Sequence, residues 1–437
     1  MLDQSNYQYF DPHIETLPRE QIAKLQESRV LQLIPYVYQR SPLVRELWSK
    51  AGITPDDIQS MDDFKAKVPF MDKDTIRAYR DQHDDPFGGL TCATAPHLKG
   101  VGFTSGTTGD PTPVPRSERH ISTESTLREA WQIGARPGDT ICDMLFTFRD
   151  GLSLDRWMEA GFITAPVQHL PSEIPTFIEV SRQLRPTVLF MLSTPMIMAL
   201  EQYQKETDDD LTEALSSYKG VIFGGEALNP HFRQLVESWG LEIFILSSLG
   251  DIATTMECKA HDGLHTWEDL ALVEHLDPVT NLPVADGERG ELVVTSLSDD
   301  VAPLIRYRTD DLISFTTKPC SCGRTHGRLT PLGRIGDEMI VQGKSILPVD
   351  ILPLVSEFPE TSSGLFQLIR PQREVDVLKL RIGFDPGSLT GELNALRARL
   401  LDKLSTELQI PLSIDMISNE ELIKNSPPNK IPRVTKT

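Results

Sequence analysis

The stretch Phe103-Thr104-Ser105-Gly106-Thr107-Thr108-Gly109-Asp110-Pro111-Thr112 decides how the rest of the chain is read. Gly106 and Gly109 permit positive φ and let backbone N–H groups come close to an anion. Ser105, Thr107 and Thr108 add hydroxyl donors that can grip phosphate oxygens. The composition predicts extended chain on both sides, over 99–103 and 112–115. The stretch lacks a Gly-Lys-Ser/Thr ending and does not read as the start of a helix, so it is not a Walker A loop. On its own it is either a phosphate-binding loop or a polar hairpin turn.

The chain around it is long and acidic. With 437 residues it can build large cores in two or three structural units. A net charge of -20 argues against a nucleic-acid or anionic-membrane partner, since both repel acid. The first residues are polar and charged, so no secretory signal is expected. The most apolar run, Val188 to Leu200, is interrupted by Ser193, Thr194 and Pro195 and is too short to span a bilayer. Five cysteines (Cys92, Cys142, Cys258, Cys320, Cys322) suit reduced thiols in a cytoplasm better than a disulfide framework.

Periodicity divides the chain. Residues 14–50 carry helical patterning, with Leu25, Val30, Leu31, Leu33, Ile34 and Val37 on the apolar face and Pro18 at a helix start. From 99 to 335, apolar runs alternate with helical stretches. Thr187–Leu192, Gly220–Phe223 and Glu242–Leu246 read as buried strands, and Arg289–Ser296 begins a strand meander. A boundary falls near Gly333-Arg334-Ile335-Gly336-Asp337. Beyond it, Leu378–Phe384 and Leu412–Ile417 read as strands, and Leu393, Leu396, Leu400 and Leu404 line one helix face. The predicted architecture is α/β: a large N-terminal domain, residues 1–334, of layered α/β subdomains, and a small hinged α+β C-terminal domain, residues 335–437.

Ser105-Gly-Thr-Thr-Gly-x-Pro111 resembles the phosphate loop of the adenylate-forming enzymes, and further motifs resemble their phenylacetate-CoA ligase branch. Phe223-Gly224-Gly225-Glu226 is similar to the segment that lines the adenine and acyl sites. It follows a strand, where α/β proteins place ligands. Arg306-Tyr307-Arg308-Thr309-Asp310-Asp311-Leu312 matches the branch's Arg-Tyr-Arg-Thr-x-Asp-Leu, which implies that Asp311 accepts both ribose hydroxyls. Gly333-Arg334 resembles the hinge motif, with Arg334 toward ribose or phosphate. Asn429-Lys430-Ile431-Pro432-Arg433-Val434 resembles the C-terminal motif whose lysine bridges the carboxylate and α-phosphate in the transition state. The resemblance therefore assigns Thr104, Ser105, Gly106, Thr107, Thr108, Gly109, Gly224, Gly225, Glu226, Asp311 and Arg334 to the nucleotide, and Lys430 to catalysis.

The chain also departs from the family. Asp110 stands where many relatives have Lys, Gly336 replaces the hinge carboxylate, and Asn429 replaces Gly. Ser247-Ser248-Leu249-Gly250-Asp251 replaces the motif whose Tyr stacks on adenine and whose Glu holds Mg²⁺. Asp251 is the carboxylate that remains for the metal. Where relatives carry a glycine- and aromatic-rich stretch, Phe146, Phe148, Arg149 and Asp150 are expected to wall the acid, the two charged residues implying an acid with a polar or amino group.

Cys258, His265, Cys320 and Cys322 together offer three thiolates and an imidazole, a closed tetrahedral shell for a structural Zn²⁺. Some relatives carry the same pieces. His261 and His326 compete as fourth ligand, and buried reduced thiols with surface histidines are the alternative.

The resemblance implies ATP-dependent activation of an aryl or small acyl or amino acid to an acyl-adenylate, then transfer to CoA with release of AMP. The cofactors are ATP, Mg²⁺, CoA and structural Zn²⁺. Transfer to an amine or a carrier-protein thiol, or a catalytically weakened nucleotide-binding sensor, are the alternatives. A homodimer is expected by analogy only.

Overall fold

Short polar residues and prolines set the helix starts at the N-terminal end. The structure, a computed structural model, describes residues 8–93, 97–98, 100–103, 113–116, 123–145, 152–249, 252–426 and 431–436. Asp11 caps the helix Pro12–Glu15 by accepting from the Ile14 N–H. Pro18 stands at the N-cap of the helix Arg19–Arg40, just outside its first turn. Ser41 ends that helix and caps the next, Pro42–Ala51. Ile22, Gln26, Val30, Ile34 and Val37 form the buried stripe of Arg19–Arg40 at helical spacing.

The chain divides into two compact units, residues 1–164 with 244–331, and residues 165–243 with 332–437. In the first, the strands Ala271–Leu276, Arg289–Ser296 and Tyr307–Thr316 form an antiparallel meander. Ala253–Glu257 pairs antiparallel with Ile243–Leu249 on one side and Leu264–His265 on the other. Thus the strand expected over 242–246 runs on through Ser247 and Ser248. The N-terminal helices cover this meander: Val30, Ile34, Val37 and Phe64 share a core with Leu272, Leu292, Val294, Ile313 and Leu329. Each such side chain contributes about 1.5–3 kcal/mol on burial. Gly100–Phe103 and Pro113–Arg116 pair antiparallel on either side of the glycine-threonine stretch.

In the second unit, Val188–Leu192 and Gly220–Gly224 are parallel and buried along nearly their whole length, as strands covered on both faces are. The helix Thr194–Thr207 leaves directly from the first of them. In its C-terminal part, Leu378–Phe384 runs parallel to Leu412–Ser418 and antiparallel to Phe366–Ile369, which in turn pairs parallel with Val434–Thr435. The helix Leu393–Leu408 buries Leu396, Leu400 and Leu404 against this sheet. Leu393, at its first turn, is half-buried beside the same core. Within this unit Asn229 Nδ2 donates to Ser362 O at 2.8 Å, and Met198 packs against Leu365, Leu422 and Ile431. No helix among the described residues is long and apolar enough to cross a membrane.

Candidate active site and metal centre

Strand pairing brings the four metal-ligating side chains together. Cys258 follows the strand Ala253–Glu257. His265 pairs with Met256 on one side and Arg328 on the other, and the Cys320–Cys322 turn lies between Tyr307–Thr316 and Arg328–Arg334. The ligand atoms of Cys258, His265, Cys320 and Cys322 all lie within 4.8 Å of one another. Cys258 Sγ is 3.7 Å from Cys320 Sγ, and Cys322 Sγ is 3.3 Å from His265 Nε2. A tetrahedral shell with Zn–S of about 2.3 Å has S···S edges of about 3.8 Å. The donor set and its spacing therefore fit Zn²⁺.

The surroundings orient the donors. His265 Nδ1 donates to His326 O at 3.1 Å, which leaves the Nε2 lone pair for a metal. The N–H groups of Ala260 and Arg324 point at Cys258 Sγ and Cys322 Sγ, each at 3.4 Å. The Cys322 thiol is held down at about 2 by the hydrogen bond from Cys258 and by His265, against the opposing effect of burial. Cys258 is raised by giving that hydrogen bond and by burial. The two rival histidines are engaged elsewhere. His326 accepts from the Glu268 N–H and donates to Ile14 O, both at 2.9 Å, and His261 Nδ1 faces Glu257 at 3.0 Å.

The N-terminal segment is laced over this centre. Tyr9 Oη donates to Cys322 O at 2.7 Å, Arg324 makes a buried ion pair with Glu15 at 2.7 Å, and Arg19 donates to Glu268 at 2.9 Å. Glu268 in turn accepts from the Gly327 N–H at 2.6 Å. Tyr9, Glu15 and Arg19 lie 249 to 313 positions from these partners in sequence, so no local pattern announced them.

The Arg-Tyr-Arg-Thr motif proves to be scaffolding. Arg306 is buried, pairs bidentately with Glu274 at 3.0 and 2.8 Å, and donates to Lys65 O and Val68 O. Its guanidinium lies 4.1 Å from the Phe70 ring centroid. Arg308 pairs with Glu291 at 3.0 Å. Thr309 Oγ1 donates to Leu292 O at 2.8 Å and accepts the Asp311 N–H at 3.1 Å. Asp311 is thereby fixed on Tyr307–Thr316 with a half-buried side chain.

Gly224 closes the strand Gly220–Gly224, and Gly225 turns the chain at φ +88 with nothing among the described residues within 4 Å of where a Cβ would stand. Glu226 Oε1 accepts from the Thr194 N–H, at the start of the helix Thr194–Thr207, at 3.1 Å. Arg334 ends the strand Arg328–Arg334, and Ile335–Asp337 forms the following turn. The structure thus gathers the four metal residues, and separately the Gly224–Glu226 turn. Thr104, Ser105, Gly106, Thr107, Thr108, Gly109, Phe146, Phe148, Arg149, Asp150, Asp251 and Lys430 lie outside the described residues.

Residues 59–298 match the family described as AMP-binding enzyme. The phenylacetate-coenzyme A ligase of Thermus thermophilus is 30% identical, with 97% of this chain and 96% of that protein covered. The phenylacetate-coenzyme A ligase of Aromatoleum evansii is 27% identical over 91% of this chain and 89% of its own length. A 2-hydroxyisobutyryl-CoA ligase, crystallised in the postadenylation state with 2-HIB-AMP, superposes with a TM-score of 0.86 at 23% identity, covering 100% of this chain and 94% of that one. That likeness establishes the fold: a layered α/β ligase with a large N-terminal and a smaller C-terminal domain. The chain belongs to the AMP-binding enzyme family, in its phenylacetate-CoA ligase branch, and is an AMP-forming acid–CoA ligase that uses ATP to make an acyl-adenylate and then transfers the acyl group to CoA.

Proposed function

We propose that the acid is an aryl or small acyl acid of the phenylacetate type and that Lys430 acts in its adenylation. The acid's carboxylate oxygen attacks the α-phosphorus of ATP and the bond to pyrophosphate breaks. The CoA thiolate then attacks the acyl carbon, and AMP leaves with the bonding electrons. In this reading Thr104 to Gly109 hold the β- and γ-phosphates, Gly224 and Gly225 line the adenine and acyl sites with Glu226 at the end of their turn, Asp311 binds ribose, and Arg334 contacts ribose or phosphate. Lys430 offsets the charge that builds between carboxylate and α-phosphate. Asp251 would hold Mg²⁺, which supplies charge neutralisation on the phosphates when bound. Phe146, Phe148, Arg149 and Asp150 wall the acid. The small domain that carries Lys430 spans 335–437 and the large one 1–334.

The observation that carries the nucleotide reading is Asp311. The buried Arg306–Glu274 pair, the half-buried Arg308–Glu291 pair and Thr309 hold its strand, so the Asp311 backbone is fixed at the motif's end. Carboxylate-dependent ATP–pyrophosphate exchange tests the assignment. Phenylacetate is expected to support exchange, and Lys430→Ala to abolish it; undiminished exchange in that variant would overturn the role given to Lys430. Turnover of plain aryl acids with failure of amino-substituted ones would remove the polar-acid reading of Arg149 and Asp150.

The four-residue centre is read as a closed, structural Zn²⁺ site, since three thiolates and an imidazole leave no position for a substrate. Reduced thiols of this kind suit the cytoplasm. Metal analysis of the purified protein should return one zinc per chain, and substoichiometric metal would count against the site.

A further inference from the structure

Glu226 is held on one side only. Its Oε1 sits at the N-terminus of the helix Thr194–Thr207, where a carboxylate gains from the unpaired N–H groups and the helix dipole. Its Oε2 is sealed from solvent and has no hydrogen-bond partner among the described residues. An arrangement of that kind is costly unless a charge stands close by.

Arg433 is a cation whose charge the Glu226 carboxylate favours. Asn229, three residues beyond Glu226, donates to Ser362 O at 2.8 Å, and Arg433 Nη1 donates to Gly364 O at 2.6 Å. A Cβ on Gly364 would come within 2.5 Å of Asn229 Nδ2, so the 362–364 backbone lies against the turn that carries Glu226. Ile431, two residues before Arg433, packs with Leu365, Leu422 and Met198, the last on the helix that anchors Glu226. The Arg433 guanidinium stacks at 4.8 Å on the Phe366 ring. Burial pulls it below its usual range and the Glu226 carboxylate works against that pull. Leu368 and Arg370 donate to Arg433 O and Thr435 O at 2.7 and 2.6 Å, so these two N–H groups report how firmly the segment is seated.

We propose that Glu226 is a positioning residue: its carboxylate, anchored on the helix Thr194–Thr207, is the fixed post that draws in Arg433 and registers the segment 431–435 against the turn 224–229. Lys430 immediately precedes that segment, so the contact governs how well the catalytic lysine is presented. The inference rests on the adenylation role proposed for Lys430. It replaces direct contact with the nucleotide as the work of Glu226.

A double-mutant cycle tests it with Glu226→Gln, Arg433→Met and the double variant, using ATP–pyrophosphate exchange with phenylacetate as the acid. Each single change is expected to lower exchange kcat about tenfold with KM for ATP within about twofold, and the double variant to be no worse than either. Losses that multiply, to about a hundredfold, would overturn the coupling. So would a rise in KM for ATP confined to Glu226→Gln, because it would make the residue a nucleotide ligand. Arg433→Lys keeps the charge and should recover most of the loss. Hydrogen exchange at Leu368 and Arg370 gives a readout that needs no turnover: it should quicken in Glu226→Gln as in Arg433→Met, and unchanged exchange would refute the contact. Lys430→Ala separates the two ideas. Intact activity in that variant defeats the lysine assignment, whereas the exchange pattern of Glu226→Gln still decides the latch.

Discussion

The metal centre and the Gly224–Glu226 turn are built on opposite plans. Around the four-residue centre key polar groups are met more than once: Glu268 accepts from Arg19 and from Gly327, and both ring nitrogens of His326 are used. At the turn, among the described residues, Glu226 has one hydrogen bond and Asn229 one bond to Ser362 O, and Gly225 has nothing beside it. The first region is over-determined at these residues. The second is held by single contacts. The difference places redundancy where a structural metal would sit and economy beside the segment that the proposed adenylation role concerns.

Four experiments break or sharpen that contrast. The largest effect is expected from Cys258→Ser or from stripping the metal. Binding free energy at a structural zinc site is folding free energy, on the order of 10 kcal/mol in small domains. The prediction is loss of zinc together with a fall in Tm of more than about 10 °C, within the range expected for a destabilisation of several kcal/mol. A variant that loses its metal and melts like the parent would show that the region is not over-determined.

Next is Glu274→Gln, which strands the buried Arg306 guanidinium. Breaking a buried pair from one side costs about 3–5 kcal/mol, to be read from urea unfolding. A cost below about 1 kcal/mol would place the pair with exposed salt bridges and remove the scaffold argument for Asp311.

The third concerns pH. His169 is buried, faces Ser193 Oγ at 2.8 Å, and burial pushes its imidazole down to about 4. Unfolding frees it to bind a proton near pH 6.5. The unfolded state therefore binds more protons between pH 6.5 and 4. Stability contributed by the neutral ring is complete above pH 6.5 and is lost as pH falls toward 4, by up to about 3 kcal/mol. Thermal melts across that range should show the slope, and His169→Gln should flatten it. A slope that survives the substitution assigns the titration elsewhere.

The smallest effect belongs to Asn229→Ala. It removes one hydrogen bond to Ser362 O, worth about 1 kcal/mol. If it instead destabilised as much as Glu274→Gln, the turn would be as firmly built as the metal side.

How much could be read beforehand depended on sequence distance. The strands Arg289–Ser296 and Leu378–Phe384 were visible because alternation and β-branched residues act locally. The chain on both sides of the glycine-threonine stretch was legible for the same reason. The metal residues were legible as a set with His265 ahead of His261 and His326, but the physical reason for that order was not. It depends on which ring nitrogen is already taken, and those partners lie across the fold. The motif Arg306–Leu312 drew notice for Asp311, while the work of its arginines stayed hidden because Glu274 and Glu291 become neighbours only once the meander forms. Arg433 stands in the sequence only as a member of the motif around Lys430, and its contacts stay hidden for a similar reason: Gly364 and Phe366 meet it only through the C-terminal sheet.

The lacing of the N-terminal segment over the metal loop also has a consequence in time. Glu15 and Arg324 are 309 positions apart in the chain. At about 5–20 residues per second of synthesis, Glu15 waits roughly 15–60 s before its partner has been made. During that interval the helix Pro12–Glu15 and the carboxylate it carries have no fold to join. A segment made well before the metal loop therefore takes its seat only after that loop exists. Whatever captures that segment on the ribosome, including a fused tag, competes with the closing step of folding.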